Sequence, residues 1–256
     1  MSPEDARKAV AGPLGREFGK FPLQFAKPVL FGEYPSRQRP SKINNGTASL
    51  LRLDCGPVAV TCHHVIDYYR ERLKSGERCL FQIAGCRFDP LAQLISESMD
   101  VDLAVLTLTE EQADKVLTWG SLPSQFYTPV SWPPPSPLEG DDVLFGGYPG
   151  KWRTTQDYDS MRFASYSSGH RVTAVGTRSF ISEVNQAHSV KTIYLDGLND
   201  LTEFGGMSGG PVFVLHKLNL EFVGIVREYS PDRDAFHFTR AGLIGSDGQC
   251  PFGEPA

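Results

Sequence analysis

The stretch Gly205-Gly206-Met207-Ser208-Gly209-Gly210-Pro211-Val212-Phe213 decides how this chain reads. A turn of small residues presents one serine and passes at once into an apolar, strand-like run. Serine is a poor nucleophile at neutral pH and needs an adjacent base to take its proton. Flanking glycines let the backbone fold tightly and aim its N–H groups, here those of Gly206 and Ser208, at a developing oxyanion. Glycine-rich turns are common, so the weight falls on what lies upstream.

Two upstream segments carry the complementary groups. Val58-Ala59-Val60-Thr61-Cys62-His63-His64-Val65-Ile66 is an apolar run that ends in a corner with two histidines, followed by a helix-like piece from Val65 to Leu73. Asp100-Val101-Asp102-Leu103-Ala104-Val105-Leu106 opens a buried-strand pattern with a carboxylate. An imidazole titrates near neutral pH and can take the serine proton, while a carboxylate can fix its tautomer. The base is His63 or His64, and the carboxylate Asp100 or Asp102, of which Asp102 directly precedes the apolar run. The order His, Asp, Ser is that of triads on chymotrypsin-type β-barrels, whereas subtilisin-type and α/β-hydrolase sites have other orders.

On these residues the chain resembles a trypsin-like (chymotrypsin-fold) serine peptidase of the compact bacterial kind, close in style to the Htr-type catalytic domain. Thr61-Cys62-His63-His64-Val65 is similar to that group's Thr-x-x-His-Val, which implies His64 rather than His63 as the base. Asp102-Leu103-Ala104-Val105-Leu106 resembles its Asp-Leu-Ala-Val-Leu strand. Gly140-Asp141-Asp142-Val143 with Gly147-Tyr148-Pro149-Gly150 resembles the opening strand of its second barrel, and Phe222-Val223-Gly224-Ile225-Val226 the strand after the nucleophile. The resemblance implies an all-β fold of two antiparallel six-stranded β-barrels, with the active site in the cleft between them. It divides the chain into an N-terminal arm (1–27) lying against the second barrel, a first barrel (28–131) carrying His and Asp, a linker (132–138) and a second barrel (139–246) carrying Ser. A C-terminal tail (247–256) follows. The linker is Trp132-Pro133-Pro134-Pro135-Ser136-Pro137, whose prolines cannot donate to a sheet ladder.

The implied activity is that of a serine endopeptidase working through an acyl-enzyme. Ser208 is the nucleophile, His64 the base, Asp102 its orienting carboxylate, and the N–H groups of Gly206 and Ser208 the oxyanion hole. Two departures stand out. Digestive members carry aspartate immediately before the serine, to pair with a new N-terminus after cleavage; here that position is Met207. After Val226 the family has a small residue and an open backbone, whereas this chain has Arg227-Glu228-Tyr229, which either shape specificity or plug the cleft. Position places Thr202 at the base of the specificity pocket, with Arg227, Glu228, Tyr229 and the stretch Phe238 to Arg240 as walls. No aspartate stands at the base, so a small or medium apolar substrate side chain is expected. The expected partners are a protein or peptide substrate, cleaved at few sites, and a regulatory protein. The alternatives are a catalytically latent peptide-binding module on the same fold, or an esterase.

Composition agrees with an all-β chain. Of 256 residues, 40% are hydrophobic, 25 are Gly and 19 are Pro, which suits short strands joined by turns. Strands are expected at 48–53, 58–61, 79–83, 102–107, 142–145, 161–166, 171–175, 192–195, 211–214, 222–226 and 236–239, and a second helix near 109–117. Asn45-Gly46-Thr47 fits a glycosylation sequon but reads better as the turn Asn44-Asn45-Gly46 before a strand. No stretch is long and apolar enough to span a bilayer, and Met1 to Lys8 lacks a secretory pattern, so a cytoplasmic location is expected. Five cysteines, an odd number without a framework spacing, suit free thiols in a reducing compartment. Cys55, Cys62, His63, His64, Cys79 and Cys86 do not have the short ligand loops of a zinc site, and the chemistry calls for no metal or cofactor. With a net charge of −5 and no basic run, nucleic acid and anionic membrane are not expected partners.

Overall fold

The computed structural model describes residues 12–33, 43–76, 78–157, 160–184, 190–193, 203–216 and 219–250. After helix α1 (Pro13–Leu23), strands β1 (Ala26–Glu33), β2 (Ile43–Leu53), β3 (Gly56–Thr61), β4 (Cys79–Ile83), β5 (Cys86–Arg87), β6 (Leu94–Ser98) and β7 (Leu103–Thr107) form one antiparallel sheet in the order β5-β4-β1-β2-β3-β7-β6. Helix α2 (His63–Lys74) follows β3, and helix α3 (Glu110–Leu117) follows β7. The second sheet is built from β8 (Asp142–Gly147), β11 (Tyr166–Arg171), β12 (Ala174–Val175), β13 (Ser179–Glu183), β14 (Val190–Ile193), β15 (Pro211–His216), β16 (Asn219–Ser230) and β17 (Ala235–Arg240). Its order is β12-β13-β17-β16-β15-β8-β11-β14, and β9 (Arg153–Asp157) and β10 (Ser160–Phe163) pair separately.

The two halves repeat one topology that no sequence repeat betrays. Leaving aside the two-residue β5 and β12 and the four-residue β14, each half has six strands. Numbered one to six within its half, the first sheet runs fourth, first, second, third, sixth, fifth; the second runs third, sixth, fifth, fourth, first, second. These are one ring order opened at two different points, which is the double barrel expected from the sequence, with short edge strands added. In the second half the gap in the ring is bridged by Thr173 N–H to Ile181 O (2.8 Å) and Ser182 Oγ to Arg171 O (2.7 Å).

Alternation along β15 joins the halves. Val212 and Val214 point into the core of the second half, while Phe213 between them packs into the core of the first. Phe213 meets Phe21, Phe25, Tyr127 and Phe222 at ring separations of 5.0 to 5.7 Å. Such pairs contribute about 1 kcal/mol each beyond the area they bury. The strand that follows Ser208 is therefore fastened to the half that carries His64 and Asp102.

Several expectations need correction. The N-terminal arm contains a helix that was not expected, α1, which lies against β8, β11 and β15 of the second half, and β1 begins at Ala26, two residues before the expected start of the first barrel. Gly15 and Gly19 lie one turn apart in α1 and are both buried, and the close approach of the helix to the sheet is marked at Gly146, where a Cβ would lie 2.8 Å from Leu23 Cδ2. Residues 241–250 return to the first half. Ile244 and Cys250 join its core, Ser96 Oγ donates to Gly248 O (2.7 Å), and Trp132 Nε1 donates to Ile244 O (2.7 Å). The strand expected at 161–166 is broken at Ala164-Ser165, between β10 and β11. Asn44-Asn45-Gly46 is no turn: all three lie in β2, opposite Phe31, Leu30 and Val29 of β1.

Candidate active site

Strand β3 ends at Thr61, and α2 begins two residues later with both histidines in its first turn. A helix start leaves N–H groups without intrahelical acceptors, and its dipole favours a negative charge nearby. Cys62, at the N-cap, supplies no side-chain cap. Asp102 fills that gap from the neighbouring strand connection. Its Oδ1 accepts the His64 backbone N–H at 2.9 Å, and its Oδ2 lies 2.8 Å from His64 Nδ1. One carboxylate thus caps the helix and fixes the imbalance between the two ring nitrogens, leaving Nε2 as the free basic atom. Asp102 holds this position with a left-handed backbone (φ 53°), steadied by its N–H to Met99 O at 3.2 Å. Asp100 is exposed.

Electrostatics keep this carboxylate ionised. Burial alone would raise its pKa. The hydrogen bond from the His64 ring, the charge of that ring, the His64 backbone N–H and the Arg227 guanidinium outweigh burial and hold the carboxyl below its usual value. Arg227 is one of the residues expected at the cleft wall. It is the extra residue of a β-bulge in β16, where Val226 faces Phe238 and Glu228 already faces His237. A bulge re-aims a side chain, and here Arg227 Nε comes to 4.0 Å from Asp102 Oδ2. Glu228 is exposed, and Tyr229 Oη donates to Asp234 Oδ1 at 2.6 Å. Tyr229 packs with Phe204 and Phe236 at ring separations of 4.6 to 5.0 Å. Thr202 lies outside the described residues.

The other histidine has a different partner. His63 Nε2 lies 3.6 Å from Glu97 Oε2, whose other oxygen takes Arg70 Nη2 at 2.5 Å. The His64 ring meets Tyr68, one turn on along α2, edge to face at 5.9 Å. Cys62 Sγ, a His64 ring nitrogen and an Asp102 oxygen lie within 4.8 Å of one another. Burial, reinforced by the Asp102 charge, pushes the Cys62 thiol well up, so it stays a thiol and donates to Val226 O at 3.3 Å. The same protonation rules it out as a second nucleophile.

Ser208 sits on the turn between Phe204 and Pro211. Gly206 and Gly209 have φ of 97° and 92°, which side chains rarely adopt. A Cβ on Gly209 would lie 2.0 Å from Thr47 O and 2.6 Å from Thr61 Oγ1. Gly209 N–H donates to Val226 O (2.7 Å), the carbonyl that also receives Cys62 Sγ. The Ser208 carbonyl accepts Thr47 N–H at 2.9 Å, and a Cβ on Gly46 would lie 3.5 Å from that carbonyl and 3.0 Å from Val65 Cγ2. The turn is therefore seated against Thr61, Cys62 and Val65, the residues on both sides of the histidine pair. Among the described residues, no acceptor takes the N–H of Gly206 or of Ser208, while those of Met207, Gly209 and Gly210 each find a carbonyl.

Sequence reasoning missed the residues that support this turn. Asn45, Thr47 and Ser49 alternate along β2, and each bonds across to the second half. Asn45 Nδ2 donates to Tyr148 O (3.1 Å), Thr47 Oγ1 to Gly206 O (2.7 Å) and Ser49 Oγ to Gly209 O (2.7 Å). The signal was present as a period-two run of polar residues within an apolar strand, hidden by the reading of Asn44-Asn45-Gly46 as a turn.

Comparison with known proteins bears on this arrangement. Among solved structures, the chain is similar to the tobacco vein mottling virus protease (11% identity, 90% of this chain and 79% of that one, TM-score 0.42). It is also similar to a catalytically inactive tobacco etch virus protease complexed with substrate (12% identity, 86% and 80%, TM-score 0.45). A third is a Glu endopeptidase in complex with MPD (13% identity, 83% and 84%, TM-score 0.46). Values this low lend nothing to the chemistry. No curated protein matches the chain. No helix among the described residues is long and apolar enough to cross a membrane. The profile described as a trypsin-like peptidase domain matches residues 46–225, from the polar stripe of β2 through the serine turn to the strand behind it. Well over half of the chain is covered, and the chain belongs to the trypsin-like peptidases, a family of protein-cleaving hydrolases.

Proposed function

We propose that the chain is a serine endopeptidase that cleaves through a Ser208–His64–Asp102 triad and an acyl-enzyme. The observation that carries this reading is the double hydrogen bond from His64 to Asp102, at 2.9 and 2.8 Å, beside a serine turn with two N–H groups left over. Ser208 Oγ attacks the scissile carbonyl as its proton passes to His64 Nε2. The oxyanion is received by the N–H groups of Gly206 and Ser208, each worth about 3–4 kcal/mol in comparable sites. The tetrahedral intermediate then collapses, and the leaving amine takes the proton from His64. Water, deprotonated by the same imidazole, attacks the ester, releasing the acid and restoring Ser208. Asp102 stays ionised throughout and stabilises the imidazolium.

Substrate preference follows the walls. Phe204 and Tyr229, partly buried and backed by the fully buried Phe236, form an aromatic wall next to the serine turn, which favours a small or medium apolar side chain. Arg227 turned onto Asp102 and Glu228 turned outward support an open cleft over the plugged cleft of a latent binding module. Cleavage at few sites in a chosen protein, under a regulatory partner, is the setting in which such a site works. Reaction of the purified protein with a fluorophosphonate, beside Ser208→Ala and His64→Ala, tests the nucleophile; turnover of peptides against simple esters then separates a peptidase from an esterase.

A further inference from the structure

The turn that carries Ser208 needs a device to hold its peptide planes, because the position before the serine offers no carboxylate. Met207 is instead a buried apolar residue, 1% exposed. Four successive peptides alternate in direction. A trans peptide points its C=O and N–H opposite ways. Gly205 O accepts Gly150 N–H (2.7 Å) and Met207 O accepts Gly210 N–H (2.9 Å), so the N–H groups of Gly206 and Ser208 face away from those partners. In the intervening planes Met207 N–H goes to Phe204 O (3.0 Å) and Gly209 N–H to Val226 O (2.7 Å), so the Gly206 and Ser208 carbonyls face β2.

Both of those carbonyls end on one residue. Thr47 Oγ1 donates to Gly206 O at 2.7 Å, and Thr47 N–H donates to Ser208 O at 2.9 Å. The hydroxyl also accepts Tyr148 N–H at 3.0 Å, which fixes its rotation and so aims its proton at Gly206. Thr47 is fully buried. Gly147 marks the meeting point, since a Cβ there would lie 2.8 Å from Thr47 Oγ1 and 3.1 Å from Met207 Sδ.

From this geometry we infer that Thr47 is a positioning residue that keeps the oxyanion hole assembled without any proteolytic activation, its hydroxyl fixing the peptide after Gly206. The inference rests on the peptidase reading above. Without the hydroxyl, the part-buried Gly206 O and the buried Tyr148 N–H both lose this partner, and relieving them means turning the 206–207 plane, which adjoins the plane that carries the Gly206 donor.

The test compares Thr47→Val, which keeps the shape, with Thr47→Ser, which keeps the hydroxyl. Both are followed by circular dichroism, by the rate of phosphonylation and by kcat and KM on one peptide. T47V should stay folded, lose about 10- to 100-fold in phosphonylation rate and in kcat, and keep its KM. T47S should stay within about threefold of wild type. Equal rates for folded T47V and wild type, or an equal loss in T47S, overturn the role of the hydroxyl. Should T47V fail to fold, the crystal structure of the phosphonylated wild type decides. It must show Thr47 Oγ1 on Gly206 O while the Gly206 and Ser208 N–H groups hold a phosphoryl oxygen; a detached hydroxyl overturns the inference. A folded wild type that takes up no phosphonate refutes the peptidase reading, and this inference falls with it.

Discussion

Replacing Lys27 by methionine should change how stability depends on pH, in a direction the structure fixes. Lys27 lies in β1, 1% exposed, with Nζ donating to Trp119 O at 2.6 Å and standing 5.6 Å from the centre of the Trp119 ring. Burial pushes its ammonium down from 10.5 to about 8. A folded-state value below the unfolded one means that, between those two values, the unfolded chain holds a proton the native chain has released. Stability therefore rises with pH across that window and is lowest below it. The gap corresponds to at most about 3 kcal/mol, less whatever the carbonyl and the ring return to the cation. In Lys27→Met this contribution vanishes, leaving a pH-independent cost of about 1 kcal/mol for the unpaired Trp119 carbonyl. Urea unfolding of both proteins at pH 7, 8, 9 and 10 gives the difference directly, because thiols and tyrosines common to both cancel. The stability of wild type relative to the variant should climb by roughly 1 kcal/mol per pH unit above pH 8 and level off near pH 10. A difference that is flat with pH would refute the reasoning.

Two further changes probe the site. Asp102→Asn should leave the fold in place and lower kcat by about 10⁴-fold, because the amide cannot hold the productive tautomer; steady-state kinetics showing a loss under about tenfold would remove Asp102 from the triad. Phe204→Ala should open the wall beside Ser208, shifting a peptide-library profile toward larger apolar residues, and should lower stability by about 1–3 kcal/mol through loss of its contacts with Tyr166, Tyr229 and Phe236. An unchanged profile would place the pocket elsewhere.

How much could be read in advance differs from part to part. The serine turn, the histidine corner and the strand after Asp102 were legible because each couples a reactive group to an apolar run of unmistakable period. His64 could be separated from His63 only by resemblance; the structure adds the cause, since only the His64 N–H and ring reach Asp102, while His63 turns to Glu97. Arg227 was visible as a large residue in an unusual place, but not its direction, because a bulge depends on strand register, which a single strand does not reveal. Helix α1 was hidden by Gly15, Gly19 and Pro22, residue types that disfavour a helix interior. The supporting role of Asn45, Thr47 and Ser49 was out of reach, since all their partners lie about a hundred residues or more away, on the other half. The repeated ring order of the two halves is a property of pairing and leaves no trace in residue types.

The central claim is that Ser208 is a nucleophile activated by His64 in the protein as it folds. Fluorophosphonate labelling followed by intact mass tests it most directly. The account predicts one adduct per chain on the wild type, mapped to Ser208 and lost in both Ser208→Ala and His64→Ala. A folded wild type that remains unlabelled, or a label that persists in Ser208→Ala, would contradict it.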